Sequence, residues 1–205
     1  MHRNIIHYHQ DNVRHYWLCK LCSLVFVATS EYLTETQEQA HYDQHENYIN
    51  DPGYRNFLNR LAAPLLECLT ANQCNGLDFG CGPGPALADM LADAGKNMRL
   101  YDHFYFPDTS VWQMQYDFIT CTEVIEHLHH PAIELDRLIR QLRPGGWLGI
   151  MTKRVRDSTA FRNWHYIRDP THVAFYSDST FCWIAQHWHL ELEFIDNDVV
   201  LLQIQ

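Results

Sequence analysis

The chain has 205 residues, 46% of them hydrophobic, and a formal net charge of −10 at pH 7. That length supports one sizeable core with at most a small appendage, and the acidic balance argues against nucleic acid as the main partner, because phosphate binding needs clustered positive charge. No apolar run reaches the roughly 20 residues of a membrane-spanning helix, Met1-His2-Arg3-Asn4 lacks the apolar stretch of a secretion signal, and the seven cysteines are scattered, so a reduced, cytoplasmic protein without a membrane partner is expected.

Residues 1–53 differ in texture from the rest. His7, His9, His15, Cys19 and Cys22 surround an apolar run over 16–27 that reads as half of a hairpin followed by a strand. The Cys19-x-x-Cys22 spacing resembles the second knuckle of a zinc ribbon. A structural zinc site takes four ligands, usually from two such pairs, and no cysteine precedes Cys19. His7 and His9 are the residues that would complete a Cys2His2 set. The segment is read as a degenerate ribbon that folds without metal: zinc is not expected as a cofactor, and Cys19 and Cys22 are the candidate ligands if one binds.

Over 33–50, His41 and His45 stand one helical turn apart, a spacing that can hold a metal, but no general base or third ligand accompanies them. A surface or lid helix is expected instead. After Asp51-Pro52-Gly53 a helix places Phe57, Leu58, Leu61, Leu65 and Leu69 on one side, to pack on a sheet. Pro64 is expected to kink or restart it.

Leu77-Asp78-Phe79-Gly80-Cys81-Gly82-Pro83-Gly84 is a glycine-rich turn between an apolar strand and a helix. Glycines at 80, 82 and 84 allow a sharp turn and let a ligand approach the main chain, while the N–H groups of the following helix favour an anionic group. The dinucleotide fingerprint G-x-G-x-x-G would need a small residue at 85, where Pro85 stands. Asp78 would repel a pyrophosphate but suits a ligand carrying an ammonium beside its carboxylate. The helix over 86–94 carries Leu87, Met90, Leu91 and Ala94 on one face, with Gly95 at its end. The next strand, Asn97-Met98-Arg99-Leu100-Tyr101-Asp102, ends in an acid about 20 residues after the turn, where a doubly wound sheet holds ribose hydroxyls.

Two further elements follow. Residues 117–128 form an apolar strand ending in the polar cluster Glu123-Val124-Ile125-Glu126-His127-Leu128, and Leu142-Arg143-Pro144-Gly145-Gly146 leads into a buried strand ending at Thr152. In this order, over about 75–152, the motifs resemble those of class I S-adenosylmethionine-dependent methyltransferases, and the Glu123 cluster followed by Leu142-Arg143-Pro144-Gly145-Gly146 resembles their small-molecule branch. Methylases of protein, RNA and DNA usually carry Asn/Asp-Pro-Pro-Tyr/Phe after the fourth strand, where this chain has Cys121-Thr122-Glu123-Val124.

The resemblance implies an α/β, Rossmann-like, doubly wound and mostly parallel sheet with an antiparallel C-terminal edge, occupying 54–205 behind an N-terminal extension of 1–53. It implies S-adenosylmethionine as cofactor, held by Asp78, Gly80, Gly82, Asp102 and His103, with Cys121, Thr122 and Glu123 lining the cleft. One departure stands out: only residues 103–116 separate the second strand from the Asp117 strand, where the family usually fits a helix, a strand and a second helix. That crossover is expected to shrink to a loop or single turn, with Phe104 or Tyr105 stacking on the adenine.

Lys and Arg are concentrated over 137–168, where Asp157 is the lone acid. They read as a solvated helix face with a basic loop, or as a field steering an anionic substrate toward the strand ends. Beyond the last motif, 161–177 is dense in aromatic, His and Asp residues. Members of the family place acceptor-binding residues there, which makes Trp164, Tyr166 and Tyr176, together with Tyr42, candidates for substrate contact; the alternative is ordinary aromatic core. His127, His165 and His172 are the candidate general bases, needed only if the acceptor must lose a proton; for Glu126-His127 the alternative is a cap on the next helix. Ser177 caps a helix to about Gln186, and 190–195 and 199–204 form a terminal strand pair turning at Asp196-Asn197-Asp198. The implied reaction is methyl transfer to an unidentified small-molecule acceptor. A regulatory or interaction protein that binds the donor without transferring its methyl is the alternative.

Overall fold

Two sheets organise the chain in the computed structural model, which describes residues 4–44 and 48–205; His45 lies outside the described residues. The N-terminal residues form an antiparallel meander of β1 (Ile5–Gln10), β2 (His15–Cys19) and β3 (Val25–Val27). Helix α1 (Glu35–Tyr42) follows behind a capping box of Thr34 and Gln37, and α2 (Pro52–Cys68) starts where Asp51 accepts the Tyr54 N–H at 2.6 Å. The chain then alternates β4 (Asn75–Phe79), α3 (Ala86–Asp93), β5 (Asn97–Tyr101), β6 (Tyr116–Thr122), α4 (Pro131–Gln141) and β7 (Leu142–Met151). Short α5 (Ser158–Arg162) and β8 (Ala174–Phe175) precede α6 (Asp178–Trp188), β9 (Leu190–Phe194) and β10 (Val199–Ile204).

The larger sheet has the order β5-β4-β6-β7-β10-β9. Its first four strands are parallel and the last two antiparallel, the doubly wound sheet with an antiparallel edge that the sequence predicts. Strand alternation builds its two faces. Val200 and Leu202 join Leu77, Ile119 and Ile150 under α4 and α6, while Val199 and Leu201 join Phe118 under α2 and α3. Every residue from Tyr116 to Cys121 is buried, as a central parallel strand requires when both faces are covered. Helix α2 sinks Leu58, Leu61 and Leu65 into the second face. It runs unbroken through Pro64, so the expected restart does not occur: packing of those leucines outweighs the single N–H that proline removes.

Between β5 and β6 the crossover is short. An isolated bridge between Asp102 and Phe106 and one 3-10 turn, Thr109–Gln113, replace a full helix and strand, leaving β5 at the sheet edge. Trp112 closes this side, packed edge-on against Tyr101 at 4.7 Å and covered by the Arg137 guanidinium at 3.5 Å from its ring centre.

The N-terminal sheet is completed from the far end of the chain, because β3 pairs with β8. Tyr16, Val25 and Val27 pack with Phe161, Ile167, Val173 and Phe175, so strand pairing and packing both cross position 53. Within this junction Arg14 is 5% exposed and donates to four main-chain carbonyls: Ile167 at 2.5 Å, Asp169 at 2.9 Å, Pro170 at 3.1 Å and His172 at 2.9 Å. A planar guanidinium satisfies several acceptors of a tight loop at once, which a single ammonium does not. Replacing Arg14 by Met leaves those buried carbonyls without a donor, at about 1–3 kcal/mol for each group left unsatisfied. Arg14→Met is therefore expected to lower unfolding free energy by at least about 3 kcal/mol in denaturant titration, with Arg14→Lys recovering less than half. A loss under about 1 kcal/mol would show that the loop holds without it.

Candidate active site

The C-terminal ends of β4, β5 and β6 point the same way, and the turns that leave them enclose a cavity of about 940 Å³. This lies at the upper end of the ~300–1,000 Å³ usual for small-molecule sites, at the place where open α/β sheets bind ligands. From β4 comes the Gly80–Pro83 turn. Gly80 has φ +74°, and a side chain there would strike Val124 at 2.4 Å; Gly82 has φ +62°, and a Cβ there would meet no protein atom within 4 Å. The first glycine is demanded by packing and the second leaves room beside the backbone.

Asp102 stands at the tip of β5 and lines the cavity. Its carboxylate accepts the N–H groups of Gly82 at 3.0 Å, Phe104 at 2.9 Å and Tyr105 at 3.1 Å. It thus ties the two turns together while one of roughly four acceptor positions remains. From β6 come Thr122 and Glu123. Thr122 Oγ1 and Glu123 Oε1 are buried without a hydrogen-bond partner, and Glu123 adopts φ +53°, a left-handed conformation costly for a residue with a Cβ. Helix α1 lies over the mouth of the cavity, contributing Glu35, Glu38 and Tyr42. It is held by three polar contacts: Glu35 with His103 at 2.8 Å, Glu38 with His129 at 2.7 Å and Asp43 with the Tyr105 hydroxyl at 2.7 Å.

His127 and His172 meet at the inner end, with ring centres 4.7 Å apart, and Tyr42 packs edge-on against His127 at 5.3 Å. The His127 Nδ1 faces the Thr171 carbonyl at 3.3 Å and the His172 Nδ1 the Tyr166 carbonyl at 2.7 Å. Burial holds His172 below the ordinary imidazole range, against the pull of Asp169. Behind them Glu126 is fully buried, accepting the Thr152 hydroxyl at 3.0 Å and the Tyr166 hydroxyl. Burial first, and the nearby Glu123 carboxylate second, push its carboxyl up to about 8. Glu123 is raised as well, again mainly by burial.

The structure brings Gly80, Gly82, Asp102, His103, Thr122, Glu123, Tyr42, His127 and His172 to one cavity, and moves the other predicted residues elsewhere. Asp78 and Cys121 are buried and do not line it. Asp78 points beneath the turn, where it accepts the Thr120 hydroxyl at 2.7 Å, and burial lifts its carboxyl to about 6. Cys121 faces the core because it stands one strand position before Thr122. His165 is exposed and accepts a hydrogen bond from Lys153 at 2.9 Å. Trp164 and Tyr166 pack with the Phe161–Phe175 cluster, and Tyr176 is buried with its hydroxyl on the Ile125 carbonyl at 3.1 Å. Trp164 and Tyr166 serve the junction of the two sheets and Tyr176 the core of the larger sheet, and none of them lines the cavity.

Cys19 ends β2 and Cys22 sits in the turn before β3, but His7 packs against Trp17 and His9 against Tyr16, and among the described residues these four do not gather as a metal site. Sequence reasoning missed Tyr54, which sits in the first turn of α2 and lines the cavity. Its one signal was an aromatic residue three positions after the helix cap.

The sequence profile of a family described as "Methyltransferase domain" matches residues 41–193. The ubiquinone biosynthesis O-methyltransferase of Hydrogenovibrio crunogenus is 30% identical over 100 residues, 37% of this chain and 41% of that one. The enzyme of the same name from Thiobacillus denitrificans is 29% identical over 37% of this chain and 43% of its own. The matched region thus spans about two-fifths of these relatives. Among solved structures, the 1,6-didemethyltoxoflavin-N1-methyltransferase of Burkholderia thailandensis superposes with a TM-score of 0.54 at 13% identity, covering 96% of each chain. The N-methyltransferase NodS of Bradyrhizobium japonicum gives 0.53 at 19% identity, covering 82% of this chain and 95% of its own. At such identities the superpositions establish the fold.

The buried Glu126 makes stability depend on pH. Its folded pKa of about 8 lies above the ~4.3 of an unfolded glutamate, so its contribution is full below the lower value and is lost as pH rises through the higher one. Glu126→Gln keeps the shape without the titration. Melting in chelator-containing buffer is expected to shift in the variant's favour, relative to the parent, between pH 5 and pH 9. A difference constant across that range would place the carboxyl in an ordinary environment.

Proposed function

The chain belongs to the methyltransferase-domain family, and on that premise we propose that it transfers the methyl group of S-adenosylmethionine to a hydroxyl or amine of a small, uncharged or cationic acceptor. One observation carries this reading: the glycine turn, the Asp102 carboxylate, the Thr122 and Glu123 oxygens and two imidazoles share a single cavity large enough for donor and acceptor together.

The residues present fit the donor. The space beside Gly82 admits its amino-acid end against the backbone, and the unpartnered oxygens of Thr122 and Glu123 offer acceptors for its N–H groups. The remaining acceptor position of Asp102 takes a ribose hydroxyl, while Phe104 and Tyr105 line the same wall as aromatic surfaces for the adenine. Tyr54 and Phe57 cover the turn from α2. When bound, the donor supplies an electrophilic sulfonium methyl. The protein's own part is to hold the acceptor in line with that methyl and to exclude water, through α1 and its three anchoring contacts. His127 and His172 are placed to receive a proton from the acceptor.

The lining argues for the charge of the acceptor. Six carboxyl side chains and five imidazoles line the cavity, and no Lys or Arg among the described residues does. Within the basic stretch over 137–168, Arg140 pairs with Asp136, Arg143 with Asp117 and Arg154 with Asp178. An anionic acceptor would enter against that field, whereas the cationic donor enters with it.

Titration calorimetry with S-adenosylmethionine and S-adenosylhomocysteine tests the donor reading, and absence of binding at about 1 mM would overturn it. Asp102→Ala is expected to weaken binding about 10- to 100-fold, the loss of a hydrogen bond to a charged group; unchanged affinity would remove the ribose assignment. A labelled-methyl assay over a pool of metabolites then separates transfer from a regulatory role. Label is expected in uncharged or cationic products, and incorporation confined to anionic ones would overturn the charge argument.

A further inference from the structure

We propose that Cys19 and Cys22 form a modification site: a dithiol converted reversibly to an intramolecular disulfide by exchange with a small-molecule disulfide of the glutathione class. Cys19 ends β2 and Cys22 follows three positions on, in the turn before β3. The turn is clipped shut, because the Cys19 N–H donates to the Leu24 carbonyl at 2.9 Å and the Ser23 N–H to the Cys19 carbonyl at 2.8 Å. Ser23 takes φ +58°, a left-handed conformation uncommon for a residue with a Cβ, and so turns the chain back directly after the second cysteine. The two sulfurs face one another, with the Cys22 thiol donating to the Cys19 sulfur. That arrangement matters because disulfide geometry is narrow, and sulfurs that point apart are bridged only by moving the backbone.

The surroundings divide the pair into an attacking and a resolving thiol. Burial would raise the Cys19 thiol, but the main-chain N–H groups of Cys22 and Leu21 and the Cys22 thiol donate to its sulfur and draw it below the ordinary range. Such donors stabilise the thiolate, which is the nucleophile in exchange. Burial pushes the Cys22 thiol up to about 11, and the Cys19 sulfur adds to the rise. Cys22 therefore keeps its proton until Cys19 has reacted and no longer carries charge. A small molecule can reach the turn, since Leu21 at its tip is 64% exposed and neither sulfur is buried. Elsewhere burial raises the thiols of Cys68, Cys81 and Cys121. Two thiols do not close a tetrahedral metal site, and among the described residues no third potential ligand joins them.

The small disulfide is the oxidant, and the exchange balances with it alone. The Cys19 thiolate attacks one of its sulfurs; a mixed disulfide forms on Cys19 as the original sulfur–sulfur bond breaks, and one small thiolate leaves. Cys22 then gives its proton to solvent, and its sulfur attacks that of Cys19, forming the Cys19–Cys22 bond and expelling the second thiolate. Two electrons pass from the protein to the small disulfide, which ends as two thiols after taking up two protons. In a reducing compartment such a bridge is transient and reports the redox state. Leu24, which closes the turn, packs against the core cluster holding Ile125 and Tyr176, and Ile125 begins the 3-10 turn that carries Glu126 and His127. The dithiol turn thus rests on the same core as the inner wall of the cavity. The exchange goes beyond the methyl-transfer reading and does not rest on it.

The test uses the full chain carrying Cys182→Ser, which removes the exposed lone thiol, in chelator-containing buffer equilibrated with mixtures of reduced and oxidised glutathione. After acid quenching, alkylation in denaturant and proteolysis, mass spectrometry is expected to find Cys19 joined to Cys22. The bridged fraction should follow the glutathione ratio and vanish with dithiothreitol, while Cys68, Cys74, Cys81 and Cys121 are recovered alkylated. Adding Cys22→Ser should halt the reaction at one glutathione on Cys19. Adding Cys19→Ser instead should make capture of glutathione at Cys22 at least about tenfold slower than capture at Cys19 in the other variant, because the thiolate is the reacting form. Circular dichroism checks that each variant is folded. Absence of a bridge at every ratio, a bridge to another cysteine, or equal capture rates in the two folded single-thiol variants would overturn the proposal.

Discussion

The cavity depends on one buried cation that never touches it. Arg14 is closed off from water and spends its guanidinium on four carbonyls of the 167–172 loop. Those carbonyls would otherwise be buried acceptors without donors, so the loop's course and the arginine's place require each other. The same loop carries Asp169 and His172 into the cavity. Asp11 completes the arrangement from the other side, accepting the N–H groups of Val13 and Arg14, each at 2.7 Å, and the Tyr16 hydroxyl at 2.8 Å. The N-terminal meander is therefore part of what shapes the site.

A second constraint is electrostatic. The cleft is lined by carboxylates and imidazoles and, among the described residues, by no Lys or Arg, while Arg140, Arg143 and Arg154 are paired outside it. Burial raises the pKa of both Glu123 and Glu126, and for Glu126 the nearby Glu123 charge adds to it. A cationic donor offsets the cost of those buried carboxylates on entering. The acidic character of the cleft, which costs stability in the empty protein, becomes complementarity toward positively charged ligands.

The strand ends were legible in the sequence because their signals are local. A glycine that must adopt φ +74° beside a valine, an acid at the end of an edge strand and a polar pair ending an apolar strand are each fixed by a few neighbouring residues. Strand alternation was less forgiving. Cys121 and Thr122 are adjacent, yet one lies in the core and the other on the cavity, and only the sheet's register decides which. Asp78 shows the same limit: its motif position suggested the ligand, while its side chain turned inward to Thr120. In the aromatic stretch over 161–177, composition could not separate core from site. The pairing of β8 with β3 drew Trp164 and Tyr166 into a packed junction and left His172 facing the cavity.

By itself the sequence determined the parallel sheet, its glycine turn, the acid-tipped strand and the shortened crossover, because hydrophobic period and backbone sterics act over a few residues. The tertiary structure decided which histidines meet, which aromatics are core and how the N-terminal segment is used. Those outcomes rest on contacts between residues more than 150 positions apart, such as Arg14 with the His172 carbonyl, and on the burial that sets each group's charge. Neither is encoded in any single stretch of chain; both arise only when distant segments share one desolvated space.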